Sequence, residues 1–256
     1  MRRSLRDKTI LITGASSGIG RGVALALSRG ANRIVVTARR ADRLAELAAE
    51  IEANGSTCVV GVVDATDREA VARQLEAAIA AVGPIDVALL NVGGSPVHVM
   101  GGRNGDAASV VDTMRKNYDA LVHYLCPLID HMRVRGGTIA YTGSPAGMFA
   151  LPKSGPYSAA KAAGRILMDA CRIELAQTPI RFVTLYPGFT DTEGLAAEEV
   201  PSPALIIPLE RAVDEVLWAI ETGRSAHMFP KRIRYAIAVA RWLPERWLRA
   251  VLRLVG

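Results

Sequence analysis

Residues 9–20 read TILITGASSGIG, and this stretch decides the fold. Thr9 to Thr13 is a short, largely β-branched apolar run, the pattern of a strand covered on both faces. It breaks at Gly14, and Gly18 and Gly20 follow as a helical pattern opens over 20–29. Glycines in a strand-to-helix turn let the backbone bend sharply and let an anion approach the main chain. The helix start behind them offers unbonded N–H groups and a partial positive charge. The residues Gly14, Ser16, Ser17, Gly18, Ile19 and Gly20 are therefore the candidate cradle for a pyrophosphate. The spacing, Gly-x3-Gly-x-Gly, differs from GxGxxG and from a lysine-bearing phosphate loop. Taken alone, it is also what any tight strand–helix connection requires.

Outward from this turn, short strand-like runs alternate with helical ones. Strands are predicted at 33–38, 57–64, 87–91, 137–142 and 181–186, and helices at 41–54, 68–82, within 109–133, and at 158–175. Continuous apolar strands alternating with helices predict an α/β, doubly wound parallel sheet in a single domain. The catalytic body is expected over 1–230, with 231–256 as a basic amphipathic helical extension.

The second strand ends Thr37-Ala38-Arg39-Arg40. A site for NAD(H) places a carboxylate near here to bind the ribose 2′-hydroxyl. None stands at this tip, and Asp42 falls later, where it opens the next helix. Two guanidiniums suit a 2′-phosphate, which Arg grips through a fork of donors. Arg39 and Arg40 thus point to NADP(H), although either can also be a solvated surface charge. Asp64 closes the third strand, beside Ala65, where a carboxylate can accept from an adenine amino group. Asn91 closes the fourth strand before Gly93, where the adenosine ribose would lie. A carboxylate or amide in either place is also what fastening a strand-to-helix turn requires.

Tyr157 and Lys161, in YSAAK over 157–161, are four residues apart and share one helix face. A phenol ionises near pH 10. A neighbouring ammonium is expected to lower that value and bring the phenol toward acid–base work at neutrality. Ser144, after the fifth strand, can hold a substrate oxygen while Tyr157 moves the proton. A Tyr-x3-Lys pair by itself is common on ordinary surface helices.

Together these motifs resemble the short-chain dehydrogenase/reductase family over Lys8 to about Gly188. The matching elements are TGASSGIG (13–20), Asp64, NVGG (91–94), Asn117, Ser144, YSAAK and Pro187-Gly188. The resemblance implies a Rossmann-type sheet of about seven strands and a catalytic tetrad of Asn117, Ser144, Tyr157 and Lys161. It implies that Asn117 anchors a water, that Lys161 also bonds the nicotinamide ribose, and that Thr190 and Thr192, after Pro187-Gly188, contact the carboxamide or pyrophosphate. It also implies a homodimer or homotetramer through the helices of 109–133 and 158–175. One departure stands out. The family usually has Asn-Asn-Ala-Gly where this chain has Asn91-Val92-Gly93-Gly94, and the extra glycine is expected to loosen the turn. The implied activity is hydride transfer between NADP(H) and a carbonyl or secondary alcohol. A non-catalytic NADP(H)-binding sensor or scaffold, and a peripheral membrane reductase of lipid-like ketones, are the alternatives.

Composition narrows the partners. The chain of 256 residues carries a net charge of +6, and residues 231–256 hold seven basic side chains against one acid, so the body is neutral. A neutral body without a nucleic-acid module argues against nucleic acid. In the extension, Ile233, Ile237, Ala240, Trp242 and Leu243, then Trp247, Leu248, Val251, Leu252 and Val255, recur at helical spacing between arginines. Such a segment can lie on a membrane surface, close a pocket or meet a second subunit. Apolar residues of 97–100, 145–151 and 189–208, among them Met148, Phe149, Leu151, Leu195, Leu205 and Ile206, predict an apolar substrate. Cys58, Cys126 and Cys171 have no metal or CxxC spacing and are expected to be free, core-filling thiols of a cytoplasmic protein. The four histidines have no metal-ligand spacing either, and no metal is expected.

Overall fold

The computed structural model describes residues 3–94, 107–148, 154–195, 200, 202–240, 242, 244, 246 and 247. Seven strands form one parallel sheet: β1 (Thr9–Thr13), β2 (Arg33–Ala38), β3 (Thr57–Val62), β4 (Val87–Leu90), β5 (Gly137–Thr142), β6 (Ile180–Pro187) and β7 (Ala226–Phe229). Their order is β3-β2-β1-β4-β5-β6-β7. Eight α-helices are described: α1 (Gly18–Leu27), α2 (Ala41–Ala53), α3 (Arg68–Val82), α4 (Ala107–Met114), α5 (Ala120–Met132), α6 (Gly155–Glu174), α7 (Leu209–Thr222) and α8 (Lys231–Ala240).

Side-chain alternation along each strand divides the core in two. Ile10, Ile12, Ile34, Val36, Leu89, Val183 and Leu185 face α1, α2 and α7. Leu11, Val35, Ala88, Leu90, Ile139, Tyr141 and Phe182 face α3, α5 and α6. The sheet is thus buried on both sides, which is why its strands read as unbroken apolar runs. Sequence order reverses between β1 and β4. Ligands in open α/β sheets bind at the carboxyl ends of strands beside such a reversal. The glycine turn after β1 and Asn91 after β4 both stand there.

Three elements differ from the periodicity reading. α7 and β7 lie beyond the predicted elements, and β7 is only four residues long at the sheet edge. The predicted long helix of 109–133 is interrupted by a π-helical turn, Arg115–Asp119, between α4 and α5. Cys126 is exposed rather than core-filling, while Cys58 and Cys171 are partly buried. No helix among the described residues is long and apolar enough to cross a membrane.

Candidate active site

The glycine turn is built for close approach. Gly14 and Gly18 have φ of +65° and +54°, which L side chains rarely adopt. A Cβ on Gly20 would lie 2.5 Å from the Gly14 carbonyl oxygen and 2.8 Å from Asn91 Nδ2. Ser17 begins α1 without capping it through its side chain. The first-turn N–H groups thus carry no side-chain cap, and this local chemistry suits an anionic pyrophosphate. Ser16 is buried, whereas Ser17, Gly18 and Ile19 are partly exposed.

Arg40 bends back over this turn. Its Nη2 donates to Ser17 Oγ at 2.7 Å and to Ser16 Oγ at 3.0 Å. Arg39 is exposed and lies close enough to Asp64 to help hold its carboxyl below the usual range. The larger cause is the hydrogen bond that Asp64 accepts from the Thr66 backbone, at 2.9 Å, with a second from the Thr66 hydroxyl. Asp64 therefore fastens its own turn. Ala65 is buried, and its carbonyl lies 2.9 Å from His123 Nδ1.

Asn91 is engaged by protein groups. It accepts from the Thr142 hydroxyl at 3.0 Å and donates to the Gly14 carbonyl at 3.4 Å. The Thr13 hydroxyl accepts from the backbone N–H groups of Asn91 and Val92 at 3.0 and 3.1 Å. Gly94 N–H donates to Asn117 Oδ1 at 3.2 Å. The expectation that Gly93 loosens this turn gives way to a pinned loop. Gly93 has another effect: a Cβ there would lie 2.9 Å from Asn117 Oδ1 and 3.2 Å from Lys161 Nζ. Its missing side chain is the space in which those two groups sit.

The four residues of the implied tetrad come from three places. Asn117 is 1% exposed on the π-helical turn and donates from Nδ2 to the Thr113 carbonyl at 3.1 Å. Ser144 follows β5, where its Oγ accepts from Ala146 N–H at 3.1 Å and starts the short 3-10 turn Pro145–Gly147. Tyr157 and Lys161 lie on α6. The Tyr157 side chain lies close enough to that of Ser144 for the serine to favour the ionised phenol. Lys161 is 4% exposed. Its Nζ donates to the Thr142 carbonyl at 3.1 Å and stands 5.6 Å from the centre of the Tyr157 ring. The 3-10 turn packs tightly on α6: a Cβ on Gly147 would lie 2.8 Å from the Lys161 carbonyl carbon and oxygen.

Electrostatics here run against the expectation of an acidified phenol. Burial raises the Tyr157 hydroxyl above its ordinary value, with nearby Ser144 pulling the other way. Burial also lowers the Lys161 ammonium to about 8. Both shifts have one cause, since a low-polarity site disfavours whichever form is charged. Desolvation is the leading cause of both shifts.

On the far side, Pro187 ends β6 and Gly188 N–H donates to the Phe229 carbonyl at 2.8 Å. Ile233, in the first turn of α8, packs on Gly188. Thr190 is buried, donates to the Gly188 carbonyl at 3.1 Å and pairs with Ile207. The Thr192 methyl lies over Gly18, 3.2 Å from where a Cβ would stand. A cleft of about 780 Å³ runs beside α1 between Arg21, Arg43, Glu193 and Leu209; Ser144, Tyr157 and Lys161 are not among its walls. The sequence reading missed Thr13, Thr142, Arg43 and Glu193. Thr13 ends β1 at the sheet reversal and Thr142 ends β5 one strand further on, and a polar residue closing an apolar strand was an available signal. The pairing of Arg43 with Glu193 across 150 residues was not. The expected substrate walls at 97–100, 149–151, 196–199 and 201, His98, and extension residues 241, 243, 245 and 248–256 lie outside the described residues.

Comparison with known proteins agrees with this architecture. The family model for short chain dehydrogenases matches residues 8–200. A γ-butyrolactone 1′-reductase of the A-factor type from Streptomyces virginiae is 33% identical over 217 residues, covering 82% of each chain. A solved short-chain type dehydrogenase/reductase from Mycobacterium marinum superposes with a TM-score of 0.79 at 26% identity, over 88% of this chain and 94% of that one. An alcohol dehydrogenase from Thermococcus sibiricus, solved with 5-hydroxy-NADP, gives 0.73 at 25% identity, over 82% and 88%. With the sheet reversal, the glycine turn and the matched span in agreement, this chain belongs to the short-chain dehydrogenase/reductase family and carries its Rossmann-type fold.

Proposed function

We propose that this protein is an NADP(H)-dependent oxidoreductase that interconverts a carbonyl and a secondary alcohol, favouring reduction. The observation that carries the reading is the meeting of three groups: Tyr157 close enough to Ser144 for the serine to favour its ionised form, with the buried Lys161 ammonium 5.6 Å from the phenol ring. When bound, the nicotinamide supplies or accepts the hydride. Ser144 holds the substrate oxygen and Tyr157 gives it a proton. A phenol kept above its ordinary value by burial stays protonated at neutrality, which suits the reducing direction. Lys161 places positive charge near the phenol and bonds the nicotinamide ribose, while Asn117 anchors water beside it.

For the cofactor, the turn Gly14–Gly20 takes the pyrophosphate. Arg39 and Arg40 take the 2′-phosphate, Asp64 and Ala65 the adenine, and Asn91 and Gly93 wall the ribose. Pro187, Gly188, Thr190 and Thr192 flank the nicotinamide side. The preference for NADP(H) rests on the Arg39–Arg40 pair and the lack of a carboxylate at the tip of β2. The substrate is an apolar ketone, in keeping with Met148, Leu195, Leu205 and Ile206. Exposed Ile166 and Ile173 on α6 and Val111 on α4 support a homodimer or homotetramer. The exposed Tyr235, Val239, Trp242 and Trp247 among basic residues support contact of 231–256 with a membrane surface. Three free cysteines suit the cytoplasm.

The test is NADPH oxidation across ketosteroid, retinoid-like, 3-oxoacyl and quinone carbonyls. At least one class turns over, and Tyr157→Phe removes most of that turnover while NADPH still binds. NADPH binding without turnover across the panel points instead to a sensor or scaffold.

A further inference from the structure

The loop after β6 places a carboxylate on two arginines at the start of α2. Glu193 Oε2 lies 3.5 Å from Arg40 Nη1, and Glu193 Oε1 lies 3.3 Å from Arg43 Nη1. One carboxylate therefore spans two guanidiniums, each oxygen facing one of them. Arg40 is at the same time fixed to Ser16 and Ser17, the residues that open α1. Next to Glu193, the Thr192 methyl rests on Gly18, so successive loop residues meet the glycine turn and the start of α2. Arg43 lies one turn into α2, whose start carries Arg40 as its flanking residue. No local sequence rule pairs Glu193 with either arginine.

Two guanidiniums held by one two-oxygen anion form a site for an anion of that shape. Arginine forks match carboxylate and phosphate alike. The three side chains are also substantially solvent-exposed, between 42% and 56%. Ion pairs this exposed are weak and exchange readily with other anions. A doubly charged phosphate that arrives beside Arg40 thus competes with Glu193 for the same donors, and repels it.

We propose that Glu193 is a specificity-determining residue that occupies the Arg40–Arg43 pair until a 2′-phosphate displaces it, and that Arg43 is a further 2′-phosphate ligand. This rests on the NADP(H) reading above and goes beyond it. Glu193 sets how strongly the chain prefers the phosphorylated cofactor, because its negative charge subtracts from the attraction of the two arginines. Thr192 and Glu193 belong to one short loop. Loss of the Glu193 contacts therefore frees the loop at the same step.

The experiment is equilibrium titration of wild type, Glu193→Gln and Arg43→Gln with NADPH and with NADH, at low and at high salt. Glu193→Gln is expected to tighten NADPH by about three- to tenfold and leave NADH within twofold, the scale of one screened surface charge. The gain shrinks at high salt. Arg43→Gln weakens NADPH by a similar factor and spares NADH. An unchanged NADPH/NADH ratio in Glu193→Gln overturns the proposal. So does a parallel shift of both cofactors, which would mark a general effect on the loop. A wild-type preference for NADH overturns the cofactor reading instead. The Glu193 proposal is then still judged by whether the ratio moves toward NADPH between wild type and variant.

Discussion

Lys161 enters α6 as a charged residue and ends 4% exposed, with the Thr142 carbonyl and two aromatic rings, Tyr141 and Tyr157, around its ammonium. Its value falls to about 8 from an ordinary 10.5. The folded state therefore binds this proton less tightly than the unfolded chain does. Stability is penalised in full below pH 8 and recovers as pH rises toward 10.5, by on the order of 3 kcal/mol. Lys161→Met should raise stability at pH 7 without nucleotide and should lack the alkaline gain, as urea unfolding from pH 7 to 10 would report. A stability held back by a buried ammonium is the exchange of robustness for function that the proposed role of Lys161 would require. The same two shifts set the pH behaviour of turnover. Reduction needs a protonated phenol beside a charged lysine, so its kcat/KM should fall as pH passes about 8. Oxidation of the alcohol needs the phenolate and should climb over the alkaline range. The two limbs belong to the Tyr157–Lys161 pair rather than to either residue alone. An alkaline rise in the reduction rate would contradict this assignment.

At the level of elements, the β1–α1 turn was the most legible part of the chain because its glycines answer to backbone geometry. Gly14 and Gly18 need positive φ, and Gly20 has no room for a side chain. Gly20→Ala should cost about 1–3 kcal/mol in thermal or urea unfolding and reduce nucleotide affinity, since the Cβ meets a backbone carbonyl that cannot step aside. The place of Asn117 in the tetrad was legible only through family resemblance, and the helix break around it was not legible at all. Nothing in RKNYD, residues 115–119, announces a π-helical turn, because that turn is set by tertiary packing. The helical spacing of Ala212, Val213, Val216, Ala219 and Ile220 made α7 readable in principle. β7 was not readable, since a four-residue edge strand with only its last residue, Phe229, buried is too short to show a periodicity. The acidified phenol was misread for a related reason. Sequence spacing shows which groups are neighbours but not how much water they lose on folding.

Across the whole molecule, a sheet covered on both faces leaves its charge chemistry to one end and its excess positive charge to another. Ile237 is the buried residue of α8, and Ile233 ties the helix to Gly188. Tyr235, Val239 and Trp242, the last 90% exposed, stand outside among Lys231, Arg232 and Arg234. Vesicles rich in anionic lipid should sediment the protein at low salt and release it at high salt, and Trp242→Ala should weaken that binding several-fold without changing turnover of a soluble ketone. Equal binding to neutral vesicles, or none to either kind, would assign this face to another subunit. The overall reading stands or falls on the chemistry at the end of β5. The most direct test follows deuterium from NADPH labelled at the nicotinamide C4 into the alcohol formed from an accepted ketone, in wild type and Tyr157→Phe. The account predicts label on the carbinol carbon with one facial preference, faster from NADPH than from NADH, and nearly abolished in the variant. Label appearing at an undiminished rate in Tyr157→Phe would contradict it.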